Sequence, residues 1–300
     1  MPSNQLHEQI EILPVSLLDQ NRQTVQELKA LARKLRIGLG WHYLLDLSWI
    51  IARLADLDHQ RVVDAGAGTG LLQWYMAGKG AMVTSVDRTS RAALPLSYRL
   101  VSSVRGLRSE DLQPAVKVWA GNVSAAKGPA PKLKSFVRGA AGLLALMLPV
   151  RRGGEVLIYN QDLLQLKDIP SQSQDAVVAV SALEHNSPEN LQKVVVELMR
   201  VLKPGGVLLA TLGAARDQDW FHEPSHGWCY TAQTLRRLFE LSEDVPDNYA
   251  DHDRLFADLR GCAELRDNLA DFYFKSGDNG MPWGRWDPQY QSVGVCKLKG

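Results

Sequence analysis

The chain has 300 residues, 45 % of them hydrophobic and 22 % charged, with a formal net charge of +1. That is enough apolar material for a substantial core, and it excludes a strong overall field for steering a partner. The three cysteines, Cys229, Cys262 and Cys296, are odd in number and far apart. They argue against a disulfide framework and fit a reducing cytoplasm. Met1 to Gln20 shows no basic region followed by an apolar run, so no secretory leader is expected. The longest uncharged apolar stretch, Gly139 to Val150, is too short to span a bilayer.

In chain order, Thr24 to Arg36 reads as an amphipathic helix and Trp41 to Leu57 as a second. Then comes the most informative run, Val62-Val63-Asp64-Ala65-Gly66-Ala67-Gly68-Thr69-Gly70. It predicts a buried strand, a side-chain-poor turn and a helix starting near Leu71. Such a turn lets a ligand press against bare backbone. A carboxylate at the strand end repels a pyrophosphate and favours a cation. Dinucleotide folds use G-x-G-x-x-G, but here Leu71 holds the place of the third glycine.

Met82 to Asp87 predicts a second strand with an acid at its tip, suited to ribose hydroxyls. Between Arg88 and Gly154 stand twelve basic residues against Glu110 and Asp111, a local balance of +10 that leaves −9 on the rest of the chain. Within it, Lys132, Lys134 and Arg138 precede an apolar stretch that Arg151 and Arg152 close. Residues 132–152 therefore predict contact with an anionic membrane surface, a lipid-linked acceptor or a phosphate-bearing acceptor. The competing expectation is a cap whose apolar helix packs on the core.

Glu155 to Asn160 predicts a third strand, followed by Gln161, Asp162 and Leu163; Ala176 to Ser181 is a fourth, almost wholly apolar. Ser181-Ala182-Leu183-Glu184-His185 follows, then a helix from Pro188 to Leu202, a turn at Lys203-Pro204-Gly205-Gly206, and a fifth strand from Val207 to Leu212. A sixth strand is sought between Leu241 and Tyr249, a single helix over Asp251 to Lys275, an aromatic turn at Met281 to Pro288, and a last strand over Tyr290 to Leu298.

Asp-x-Gly-x-Gly-x-Gly, Leu-Glu-His after strand four and Leu-Lys-Pro-Gly-Gly before strand five together resemble the class I S-adenosylmethionine-dependent methyltransferases of the small-molecule type, related to the quinone-biosynthesis enzymes. The resemblance runs from Arg61 to Leu212, apart from the insertion. It implies a Rossmann-like, doubly wound, seven-stranded sheet, mostly parallel with an antiparallel last strand. It also implies N-terminal helices over residues 1–58 acting as a lid, and a methyltransferase core over 59–300. That core would carry a basic helical insertion at about 90–153 and an acceptor cap at about 214–288.

The expected cofactor is S-adenosylmethionine. Asp64, Ala65, Gly66, Gly68 and Gly70 would hold its methionine half, Asp87 with Arg88 the ribose, and Gln161, Asp162 and Leu163 the adenine. Ser181 and Glu184 would line the same site. For a hydroxyl acceptor the candidate bases are His185, His222 and His226. Trp41 and Tyr43 from the lid, with Trp228 and Tyr230, are candidate acceptor contacts. No metal site is expected, because no fourth ligand joins His222, His226 and Cys229. The acceptor expected is a small molecule, a glycan or a lipid-linked molecule, methylated on oxygen. An RNA acceptor using the basic insertion and a nicotinamide-dependent oxidoreductase remain the alternatives.

Overall fold

A computed structural model describes residues 6–54, 56–148, 153–271, 273 and 285–300. The chain divides into two compact units, one of residues 1–55 with 163–300, the other of residues 56–162.

The second unit holds the glycine-rich run. Its elements are β2 (Arg61–Ala65), α4 (Leu72–Gly78), β3 (Met82–Asp87), α5 (Leu96–Arg99), β4 (Ser103–Gly106), α6 (Ala115–Ala125), α7 (Pro129–Met147) and β5 (Glu155–Asn160). The strands lie in the order β2-β3-β5-β4, all parallel. Val62, Val63, Ala65, Val83, Val86, Val156 and Ile158 are buried, as expected of parallel strands covered on both faces. β3 and β5 have the bounds that their sequence predicts. β4 was not foreseen: the insertion contributes an edge strand as well as helices.

The first unit contains β1 (Gln9–Ile12), α1 (Leu17–Gln20), α2 (Arg22–Leu35), α3 (Tyr43–Arg53), β6 (Gln174–Val180), α8 (Pro188–Val201), β7 (Leu202–Ala214), β8 (Trp220–His222), β9 (Gly227–Tyr230), α9 (Ala232–Leu238), α10 (His252–Gly261), α11 (Ala263–Asn268) and β10 (Gln291–Leu298). Its strands run β1-β10-β7-β6, with β10 antiparallel to β1 and β7, and β6 parallel to β7. β9 pairs in parallel with the end of β7, and β8 closes a hairpin on β9.

The chain is a mixed, mostly parallel α/β protein of the Rossmann-like kind, with ten strands among the described residues where seven were expected. No strand forms between Leu241 and Tyr249; β1, from the N-terminal segment, pairs with β10 instead. Its Gln-Ile-Glu-Ile alternation buries Ile10 and Ile12 and leaves Gln9 and Glu11 partly exposed. The segment read as a helical lid therefore also supplies sheet. The Lys203–Gly206 turn lies inside β7, where the pairing register jumps from Gln174↔Leu202 to Ala176↔Val207; Gly205 takes φ +78 there, which glycine tolerates without strain. The tail breaks at Cys262 into α10 and α11, so it is not one helix. Residues 149–152, 272 and 274–284 lie outside the described residues, including the arginine pair 151–152 and the first half of the aromatic turn.

Candidate active site

In the second unit, the turn after β2 is held almost entirely by backbone and buried polar groups. Gly66 and Gly68 take φ +74 and +47, and the N–H groups of Gly66 and Ala67 both donate to the Val86 carbonyl at 2.9 Å. Gly68 N–H donates to Asp87 Oδ2 at 2.8 Å, and Thr89 N–H to Asp87 Oδ1 at 2.7 Å. Each carboxylate oxygen thus keeps further acceptor capacity, which suits a pair of ribose hydroxyls. A cleft of about 370 Å³ opens here, lined by Gly68, Thr69, Asp87, Thr89, Ser90, Arg91 and Ala93 to Pro95. Arg88 is exposed beside it and does not line it. Gln161 is half-buried and Asp162 exposed, just beyond the end of β5.

Asp64 behaves differently from a simple ligand contact. It is only 3 % exposed, is absent from the cleft lining, and accepts the Gln73 backbone N–H. Ala65 is buried in β2 itself. Burial raises the Asp64 carboxyl to about 7; nearby Arg91 opposes this and Asp87 adds to it.

Arg91 is the residue that sequence reasoning passed over as one more surface cation. Its guanidinium is buried, donating to Gly68 O at 3.1 Å, Ser85 O at 2.7 Å and Tyr159 O at 3.0 Å, and also to Ser85 Oγ. Ser85 Oγ in turn donates to Gln73 Oε1 at 2.7 Å, and Gln73 Nε2 donates to the carbonyls of Ala67, Gly68 and Gly70. Arg91 and Gln73 therefore clamp the turn from beneath. Arg91→Lys keeps the charge but not the planar fork, and is expected to cost about 2 kcal/mol. A lowered urea midpoint with an unchanged slope checks it.

The first unit holds a buried cluster of titratable side chains around Glu184. Ser181, at φ +44 just past β6, donates its hydroxyl to Glu184 Oε1 at 2.6 Å. Glu184 is 3 % exposed, and its Oε2 is buried with no hydrogen-bond partner among the described residues. Burial raises its pKa against the opposing influence of His185, Ser181 and His42. At the start of α3, His42 Nδ1 lies 2.6 Å from an oxygen of Asp46, one helical turn on, and both are buried. Burial pulls the His42 pKa down, but the Asp46 carboxylate outweighs it and the net shift is upward. Aromatic rings enclose His42: Trp41 at 4.9 Å, Tyr43 at 5.2 Å and Tyr290 at 5.9 Å between centroids.

The predicted histidines lie around the same cluster on the β8–β9 hairpin and the turn after β6. His222 is buried, and burial lowers its pKa. Ser225 N–H donates to its Nδ1 at 3.3 Å, with Ser225 Oγ 2.6 Å away. Its basic nitrogen is thus already engaged, so the neutral ring presents Nε2–H rather than a lone pair. His185 is exposed and donates Nδ1–H to the His226 carbonyl at 2.9 Å, leaving Nε2 as an acceptor. His226 is exposed at φ +51 and joins this site through its carbonyl, which accepts from His185. Gly227 explains the tight closure: a Cβ there would sit 3.1 Å from Glu184 Cγ. Trp41 and Tyr230 are fully buried, and Tyr230 O accepts from Tyr249 Oη at 2.8 Å; Tyr43 and Trp228 are half-buried. Among the described residues no group of three or more His, Cys, Asp or Glu is placed to hold a metal.

Over residues 145–210 the chain matches the family described as a methyltransferase domain. Among particular relatives, it is 38 % identical over 69 residues to the tRNA (carboxymethyluridine(34)-5-O)-methyltransferase of Arabidopsis thaliana. That stretch is 23 % of this chain and spans only 16 % of the relative. Similar solved structures include magnesium protoporphyrin IX methyltransferase from Synechocystis, solved with bound S-adenosylmethionine (14 % identity, 95 % of this chain, 85 % of that one, TM-score 0.39). Others are 1,6-didemethyltoxoflavin-N1-methyltransferase from Burkholderia thailandensis (14 %, 95 %, 84 %, 0.40) and the [4+2]-cyclase SpnF (17 %, 98 %, 99 %, 0.46).

Proposed function

We propose that the protein methylates a small-molecule acceptor on oxygen, using S-adenosylmethionine, with His42 as the base. The carrying observation is the buried His42–Asp46 pair beside Glu184. The sulfonium is already activated, so the protein's main task is to align the nucleophile and exclude water. A hydroxyl acceptor adds one need, removal of its proton. Asp46 accepts the Nδ1–H of His42, which leaves the Nε2 lone pair as the nitrogen that can take a proton. The exposed His185 works in water and His222 has its basic nitrogen engaged, so both are weaker choices.

On the cofactor side, Asp87 takes the ribose hydroxyls, the backbone of Gly66 to Gly70 faces the methionine half, and Asp162 accepts the adenine amine. Asp64 contributes its charge from below the turn. The relative's name describes oxygen-directed transfer to a tRNA base, which supports an oxygen acceptor and keeps RNA as the second reading. Transfer of labelled methyl from S-adenosylmethionine to a panel of phenols, hydroxy acids, amines and tRNA tests the proposal. Calorimetry with S-adenosylmethionine, S-adenosylhomocysteine and NAD accompanies it. Sulfur-ligand binding and labelled small hydroxyl compounds are expected. Label confined to amines or tRNA, or binding of NAD alone, overturns it.

A further inference from the structure

We infer that the hairpin of α6 and α7 is a docking surface for an anionic lipid bilayer. α7 has nineteen residues, and none of them is buried. One side of it meets its own unit: a Cβ added to Gly139 would collide with Trp119, and one added to Gly142 would touch Leu96. The other side is exposed, with Phe136 at its edge tilted against the Trp119 ring at 5.1 Å. Leu133 is 65 % exposed, Leu144 66 % and Met147 81 %, with Phe136, Val137 and Leu148 also exposed. At about 100° per residue Leu133, Phe136, Val137, Leu144 and Met147 fall within an arc of about 100°, an apolar stripe along one helix face, and Leu148 follows it at the C-cap. The helix thus packs on its own unit along one side only, and the competing expectation of a packed cap accounts for that side.

The charges say which partner fits. Lys132 and Lys134 lie on opposite flanks of the stripe, and Arg138 stands beside the Lys134 flank. From Leu112 to Gly154 the sequence has no Asp or Glu. None of Lys117, Lys127, Lys132, Lys134 and Arg138 has an ion-pair partner among the described residues. An apolar stripe bordered by long cations suits an interface in which the aliphatic groups enter the acyl boundary while the ammonium groups reach anionic headgroups. A nucleic acid would use the cations but give the aliphatic stripe no counterpart. The helix lies on the surface rather than across it, since no helix among the described residues is long and apolar enough to cross a membrane.

The test is sedimentation of the full chain with phosphatidylcholine vesicles, with and without phosphatidylserine. At low salt the protein is expected to pellet with the anionic vesicles only, and to be released by salt. Val137→Glu/Leu144→Glu and Lys132→Glu/Lys134→Glu each alter exposed positions. Each is expected to weaken pelleting roughly tenfold or more, with unchanged thermal unfolding and unchanged S-adenosylhomocysteine affinity. No pelleting on anionic vesicles at low salt overturns the inference, as does equal pelleting on phosphatidylcholine alone. So does a self-associated wild type that the Val137/Leu144 variant converts to monomer, because a second copy would then cover the stripe.

Discussion

Asp64→Asn is expected to lower affinity for S-adenosylmethionine about 100-fold at pH 8 and to remove most of its pH dependence. The Asp64 carboxyl sits at about 7, raised mainly by burial, with Arg91 opposing and Asp87 adding to the rise. A cationic ligand above it draws the proton off. Affinity in the wild type is therefore expected to rise with pH, about tenfold per unit below 7, and to level off above it. The same shift acts on the free protein with the opposite sense. A carboxyl whose folded pKa is raised binds its proton more tightly folded than unfolded. Between pH about 4 and 7 this group thus takes stability away as pH rises, up to about 4 kcal/mol, and adds no further change above 7. Asparagine carries no such load, so the free variant is expected to melt higher than the wild type at pH 8. Calorimetric titration and thermal unfolding at pH 5.5, 7 and 8.5 check both halves. A stable variant with undiminished affinity would make Asp64 an anchor of the Gln73 N–H and nothing more.

How far the sequence led depends on how local each feature is. β3 and β5 were readable to the residue because an apolar β-branched run ends abruptly in Asp87 or Asn160. α8 was readable from Pro188 at its first turn, with Ser187 capping the Asn190 N–H at 3.3 Å. β1 was not, because four alternating residues carry too little pattern until β10 pairs with them from the far end of the chain. β4 hid for the same reason within a basic segment that composition marked as helical.

In the candidate site, the glycine turn and Asp87 were legible as motif, but the clamp beneath them was not. Arg91 is four residues past Asp87 in a charge-rich stretch, and only the fold buries it under Gly68. The insertion's apolar run announced itself, but not which side of it the protein would cover. His42 and Asp46 did leave a local trace: a histidine and an acid four apart on an otherwise apolar helix face each other. The sequence places Trp41, His42 and Tyr43 together near the acceptor, but only the fold buries His42 against Asp46.

That pair gives the largest effect expected on turnover. His42→Gln is expected to lower kcat by about 10²- to 10⁴-fold with the acceptor that the methyl-transfer panel identifies, while S-adenosylhomocysteine affinity changes little. Glutamine fills much of the ring's volume but cannot take up a proton, so the loss falls on chemistry rather than on packing. Asp46→Asn separates orientation from proton transfer. The amide can still lie against Nδ1, but it no longer favours the imidazolium that forms as the acceptor loses its proton. In the wild type the Asp46 carboxylate holds the His42 pKa above its ordinary value despite burial. The rate is therefore expected to rise with pH through a midpoint above about 6.5, since only the neutral ring accepts a proton. In Asp46→Asn that support is gone and burial is opposed only by Glu184, so the midpoint is expected to move to lower pH even as the plateau falls. His185→Gln, altered at an exposed ring, is expected to leave both midpoint and plateau nearly unchanged. A rate profile that follows His185 instead, or that ignores Asp46, would move the proton acceptor from the buried pair to the turn after β6.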